Sequence, residues 1–133
     1  MEGFKLRVVS PDGVMFDGYA DSIILRGTEG DLCIQKNHAD FTTTFGVTPV
    51  RIKTGDDERS AACSNGFLTV SKNIVTLVAT TFEFADMIDL DRAVQAKERA
   101  EKIIESKVAD QNIALAEMKL KRALVRIGVA EKR

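Results

Sequence analysis

Through the first two thirds of the chain, apolar residues come in short runs that are closed every several positions by glycine, asparagine or aspartate. Phe4-Lys5-Leu6-Arg7-Val8-Val9 is strand-like and stops at Ser10-Pro11-Asp12-Gly13, where proline followed by Asp-Gly is turn chemistry. Ser22 to Arg26 stops at Gly27-Thr28-Glu29-Gly30-Asp31. Further strands are expected over 32–35, 42–45, 50–53, 59–63, 67–70, 74–79 and 82–84. Ser64-Asn65-Gly66 and Ser71-Lys72-Asn73 read as the turns between the later ones. Roughly eight to ten short strands at this spacing predict an all-β sandwich or barrel. An α/β domain needs helical periodicity between strands, and none occurs before residue 88.

The pattern changes near residue 86. From Ile88 the apolar spacing turns helical, with no glycine until Gly128. Asp89 is placed to cap a helix, and Asp91 falls in its first turn, where a carboxylate suits the helix dipole. Ala93, Ala96, Ala100, Ile103 and Ile104 form one narrow stripe. A break is expected over 106–112, where Asp110 and Asn112 can each cap a new helix. That second helix carries Ile113, Ala116, Leu120, Ala123, Leu124 and Ile127 on one face. Leu115, Met118, Arg122, Val125, Arg126 and Val129 fall on the other. A two-helix hairpin hides only one of these faces. The other is left for the β-domain, for a partner, or for each in turn.

Composition narrows the functional classes. Apolar residues make up 44% and charged residues 29%, which suits a folded domain, and the net charge of −1 excludes a molecule-wide attraction to nucleic acid. The basic residues Lys119, Lys121, Arg122, Arg126, Lys132 and Arg133 cluster late in the chain without interleaved aromatics. They read either as a solvated face near a helix C-terminus or as a contact for an acidic partner. No apolar run nears the length of a membrane span, and the opening MEGFKLRVVS lacks a secretory leader. Neither membrane insertion nor nucleic acid is therefore expected. Cys33 and Cys63 match no metal spacing and read as apolar core filler. With a single histidine, His38, no nucleophile has a supporting base, so a hydrolase is disfavoured. Met15, Phe16, Phe82 and Phe84 read as packing residues.

Several segments taken in order resemble the epsilon subunit of the bacterial-type F-type ATP synthase. They are Val9-Ser10-Pro11-Asp12-Gly13, Gly30-Asp31-Leu32-Cys33-Ile34 with Asn37-His38, Ser64-Asn65-Gly66-Phe67-Leu68-Thr69-Val70, Val75-Thr76-Leu77 and Ile88-Asp89-Leu90-Asp91-Arg92-Ala93. The resemblance covers essentially the whole chain. It departs in one loop, where the family usually has glycine at position 33 and proline, glycine and proline at 36, 37 and 40. The fold it implies is α+β: an N-terminal antiparallel β-sandwich over 1–86, followed by a C-terminal antiparallel two-helix hairpin over 87–133. The function it implies is that of a non-catalytic central-stalk subunit on the cytoplasmic face of the cell membrane. The sandwich would dock on the gamma subunit and on the ring of membrane c subunits. The hairpin would either fold on the sandwich or extend among the alpha and beta subunits and hinder ATP hydrolysis.

In family members whose hairpin binds nucleotide, the resemblance also implies an ATP site. The matching positions are Glu83, Ile88, Asp89, Arg92, Ala93, Arg99, Arg122 and Arg126. The residue types suit the ligand, since guanidinium forks match phosphates and a carboxylate can accept from the adenine amino group. The plainer reading makes Asp89 a helix cap and leaves the arginines solvated or paired with Glu98, Glu101 and Glu117. No cofactor is required, there is no phosphate-cradling glycine loop, and ATP would be a regulatory ligand rather than a substrate. Lys119, Arg122 and Arg126 are the expected inhibitory contacts with an acidic segment of the beta subunit. A free-standing ATP sensor is the alternative function, sharing the same residues but needing no partner.

Overall fold

Alternation of buried and exposed positions along Phe4–Ser10 makes the first strand, β1, and the same period of two recurs in parts of β3, β5, β6 and β7. The computed structural model describes residues 3–28, 30–106 and 110–131. After β1 come β2 (Gly13–Ala20), β3 (Ser22–Gly27), β4 (Gly30–Gln35), β5 (Phe41–Thr54), β6 (Asp57–Ser71) and β7 (Ile74–Phe84). A single 3-10 turn, Ala85–Met87, leads into α1 (Leu90–Glu105) and α2 (Asp110–Glu131). The strand order is β2-β1-β7-β6-β5-β3-β4. Strands from opposite ends of that order share one core: Leu6 and Val8 of β1 lie in the same buried cluster as Ile23 of β3, Ile34 of β4 and Leu77 of β7. That is a sandwich. β1 and β7 run parallel, while the other pairings are antiparallel.

The strands are fewer and longer than the sequence suggests. Residues 42–45 and 50–53 belong to one strand, as do 59–63 and 67–70, and as do 74–79 and 82–84. Ser64-Asn65-Gly66 is therefore an irregularity inside β6 rather than a turn. Asn65 has a φ of 46°, and the pairing with β7 skips from Ser64↔Thr81 to Gly66↔Ala79. Gly66 is required there because a Cβ would collide with the Val78 carbonyl oxygen. β2 was hidden in the sequence because it lies at the edge of the sheet, where half of its residues are exposed and no strict alternation is imposed.

Asn37 adopts a φ of 63° at the position where the family usually has glycine, a conformation that asparagine tolerates. Its backbone N–H donates to Asn73 Oδ1 at 2.7 Å, and Lys72 N–H donates to Asp40 Oδ1 at 3.0 Å, so the loop is tied to the β6–β7 turn. His38 bonds a backbone carbonyl, that of Ala39, at 2.8 Å. Met15 and Phe16 pack on the core and Phe82 and Phe84 lie in it, as expected. The cysteines divide: Cys63 is buried core filler, but Cys33 is exposed on edge strand β4, and both are free.

Asp89 caps α1 by accepting from the Arg92 backbone N–H at 3.2 Å. α2 starts at Asp110, which places Asn112 in its first turn. Part of the expected break, 107–109, lies outside the described residues, as do Lys132 and Arg133. The facing stripes of the two helices rest on alanine: Ala93 and Ala100 of α1 and Ala116 and Ala123 of α2 are buried. Leu124, assigned to that stripe from sequence, is 49% exposed, because it lies at the stripe's edge, a 100° step from Ala123.

Candidate functional site

The second face of α2 divides in two. Toward its C-terminal end, Val125, Val129 and Ala130 pack on Ala62, Ala85 and Ile88, forming a small apolar cluster apart from the main core. Toward its start, Leu115 is 52% and Met118 47% exposed. The helix thus meets the sandwich along a narrow ridge, and a groove opens on either side of Val125. One groove, of 520 Å³, runs between Lys121, Leu124 and Gly128 and the strands that carry Leu25 and Thr48. Its arginines already have partners: Arg26 Nε lies 2.8 Å from Asp31 Oδ1, and Arg51 Nη1 lies 3.5 Å from Glu58 Oε1. The Asp31 hydrogen bond, with its charge, holds the Arg26 guanidinium above its ordinary range.

The other groove is a cleft of 460 Å³ enclosed by all three layers. Ala62, Cys63, Ser64, Thr81 and Glu83 form its floor on β6 and β7. Ala96, Arg99 and Ala100 come from α1, and Lys119, Arg122 and Arg126 from α2. Helical geometry explains the clustering of cations: Arg122 and Arg126, four apart, share one face of α2, and Lys119 lies a turn earlier. Glu83 projects from the end of β7, just before the hairpin begins, and its carboxylate pairs with the Arg126 guanidinium through one hydrogen bond and one close ionic contact. Arg126 Nη2 donates to Glu83 Oε2 at 3.2 Å, and Nε lies 2.8 Å from Oε1 with its N–H turned off the line. Among the described residues, Arg122 Nε is buried with no hydrogen-bond partner. A buried donor left so costs about 1–3 kcal/mol, and an anion in the cleft would satisfy it.

The floor is otherwise inert. Ser64 and Thr81 pair their hydroxyls with each other. Burial pushes the Cys63 thiol up to about 12, so it carries no reactive thiolate at neutral pH. No cluster among the described residues has the donors to hold a metal ion.

Of the eight nucleotide-site positions expected from sequence, the structure brings four to this cleft: Glu83, Arg99, Arg122 and Arg126. The other four lie at the start of α1. Ile88 is buried in the small apolar cluster, Asp89 spends its carboxylate on the cap, Arg92 is exposed, and Ala93 is buried. The three expected inhibitory contacts, Lys119, Arg122 and Arg126, all line the cleft. Sequence reasoning missed the floor residues Ser64 and Thr81, because the register that joins them appears only once β6 and β7 are known to be continuous.

The comparisons with known proteins agree with this architecture domain by domain. The family described as "ATP synthase, Delta/Epsilon chain, beta-sandwich domain" matches residues 3–85, and its "long alpha-helix domain" matches residues 86–131. The chain belongs to the ATP synthase delta/epsilon chain family. An ATP synthase epsilon chain of Ruminococcus albus is 38% identical over 100% of both chains. One from Brevibacillus brevis is 41% identical over 83% of this chain and 84% of the relative. Among solved structures, a chain of the Euglena gracilis mitochondrial ATP synthase superposes with a TM-score of 0.84. It is 17% identical, over 98% of this chain and 82% of that one. One from the Tetrahymena thermophila central stalk and c-ring gives 0.60 at 12% identity, over 99% and 98%. These two show that the fold is shared. As a member of this family the protein is a central-stalk subunit of a rotary ATP synthase, and a match along the whole chain sets aside the free-standing sensor. Among the described residues, no helix is long and apolar enough to cross a membrane.

Proposed function

We propose that this subunit couples the rotor to the catalytic head through its sandwich and regulates ATP hydrolysis through its hairpin, with ATP as the signal. The sandwich docks on the gamma subunit and the c-ring at the cytoplasmic face of the membrane. The hairpin exchanges between the docked state described here and a state extended toward the alpha and beta subunits. The observation that carries this is the cleft itself, which takes Glu83 from the sandwich and Arg99, Arg122 and Arg126 from the hairpin. A ligand needing both sets binds only while the hairpin is docked, so it shifts the equilibrium toward that state. Its volume falls in the usual range for a small-molecule pocket, and its cations suit a polyphosphate.

The same cations serve the extended state. Lys119, Arg122 and Arg126 face into the cleft while the hairpin is docked, so they reach an acidic segment of the beta subunit only after it leaves. Occupied cleft and inhibitory contact exclude each other. Ile88, Asp89, Arg92 and Ala93 then act on the ligand from the edge, by fixing where α1 begins.

The test is a distance measurement in the assembled enzyme. Spin labels at Thr80 and Leu115, both exposed, are introduced in a chain whose own cysteines are replaced. ATP is expected to raise the short-distance population, and deleting residues 88–133 to relieve inhibition of hydrolysis without loss of assembly. A distance distribution indifferent to ATP removes the nucleotide signal. Hydrolysis unchanged by the deletion in an inhibited enzyme removes the regulation.

A further inference from the structure

In the described state the cleft is not vacant in the electrostatic sense. Glu83 is the carboxylate among its lining residues, and it grips Arg126, one of the cations that the anionic ligand requires. Arg122, one turn away on the same face of α2, has a buried donor without a hydrogen-bond partner among the described residues. The two arginines are therefore in different conditions: Arg122 Nε lacks an acceptor, whereas Arg126, whose own Nε–H is also unbonded, already holds the Glu83 carboxylate through Nη2. We infer that Glu83 is an internal competitor for the ligand's phosphate, and that its release from Arg126 couples phosphate binding to recognition of the base.

This rests on the nucleotide reading of the cleft and adds how that site selects its ligand. A phosphate that takes Arg126 frees the Glu83 carboxylate. An adenine amino group then supplies the freed oxygen with a new donor, while a ligand without a base leaves it desolvated and unpaired. A base bearing an oxygen in that position would face the carboxylate acceptor to acceptor. Bare polyphosphate must thus open the ion pair without compensation, whereas ATP replaces what it breaks. Glu83 would act as a specificity residue that penalises incomplete ligands, beyond any attraction it offers the complete one.

The experiment compares ATP with tripolyphosphate, both titrated calorimetrically into the full chain. Glu83→Gln removes the competitor, so tripolyphosphate is expected to bind about three- to fivefold tighter, the range expected for opening a partly exposed ion pair. ATP is expected to bind weaker, so the two ligands move in opposite directions. Glu117→Gln removes the same charge from an exposed site on α2 and controls for the general gain of positive potential. In an Arg126→Ala background the tightening by Glu83→Gln should fall to the level of that control. Glu83→Asp, which draws the carboxylate back by one methylene, provides a second route if Glu83→Gln does not fold. Tripolyphosphate binding that is indifferent to Glu83, or equally improved by Glu117→Gln, overturns this inference and leaves the anion site standing. Failure of both ligands to bind any form overturns the site and the inference with it.

Discussion

The sandwich and the hairpin are built on opposite principles. Every one of the seven strands gives at least one residue to a single core, and the strands carry Phe4, Leu6, Ile23, Ile34, Ile52, Leu68 and Leu77 into it with almost no exposure. The helices bury alanines against each other, leave Leu115, Met118 and Leu124 half exposed, and among the described residues meet the sandwich through a small apolar cluster and the Glu83–Arg126 ion pair. Apolar burial contributes roughly 25 cal/mol per Å² removed from water, so large side chains bind their layer firmly and alanines do not. One chain thus joins a densely packed platform to an arm attached through few large side chains. The weakness of the arm is a consequence of side-chain size, and so it can be altered residue by residue.

The largest expected effect tests the platform. Leu68→Ala empties a fully buried position in the centre of the sheet and is expected to cost about 2–5 kcal/mol in a denaturant melt. Val129→Ala, by contrast, trims the docking ridge and should loosen the arm while leaving the main transition in place. If Val129→Ala lowers the principal melt as much as Leu68→Ala does, the two regions form one cooperative unit and the arm is no more weakly held than the platform.

Next in size is a change inside the arm. Ala123 is buried where α2 faces α1, and a leucine there forces the helices apart. Ala123→Leu should cost about 1–3 kcal/mol of hairpin stability, read as an earlier loss of helical circular dichroism on heating. The β-sheet signal should melt where it does in the parent. A larger, tighter helix interface at higher temperature would instead show that the alanine stripe is underpacked and not close-fitted.

Cys63 sharpens the same comparison from the floor of the cleft, where it belongs to the core and also faces the arm. Its thiol is pushed from 9.0 to about 12 by burial. Below pH 9 both folded and unfolded chains keep the proton, and the thiol contributes no pH dependence. Above it the unfolded chain releases the proton while the folded chain holds it, so stability falls as pH rises toward 12. The slope from this group is about 1.4 kcal/mol per pH unit. Urea melts at about pH 8 and about pH 10 should show that loss in the parent but not in Cys63→Ala, against the background titration of lysine and tyrosine that both share. An equal loss in both proteins would mean that Cys63 is solvated, as it would be if the arm spent little time docked.

Much of this division was legible in the sequence. The change of period near residue 86, the cap at Asp89 and the alanine stripes each follow from local rules, and local rules govern a helix. The continuity of β5, β6 and β7 was not legible, because Asn65 and Gly66 carry turn composition. It takes the neighbouring strands, paired in one unbroken register on either side of Asn65, to hold them inside a continuous strand. At the site, the shared face of Arg122 and Arg126 was visible from spacing alone. That Glu83 would reach Arg126 across 43 positions was not, since the pairing depends on how the arm lies on the sheet. Of the positions that the resemblance named, four line the cleft and four do not, and it gave no sign that Glu83 and Arg126 hold each other.

The smallest expected effect concerns Asp89, and it separates two jobs that one carboxylate can perform. In the docked state the side chain accepts from the Arg92 backbone N–H and starts α1. Replacing a cap of this kind by alanine costs about 1 kcal/mol, while serine caps nearly as well. If capping is its whole role, Asp89→Ala should weaken both the hairpin and ATP binding, and Asp89→Ser should leave both close to the parent. If the carboxylate itself touches the ligand, serine would restore the helix but not the affinity. Helix content from circular dichroism and ATP affinity from calorimetry, measured on the same two variants, distinguish these outcomes. The geometry favours the first, because Asp89 lies outside the lining of the cleft and Glu83 within it. An affinity lost equally in both variants, with helix content intact in the serine form, would move the ligand toward the start of α1 and out of the cleft floor.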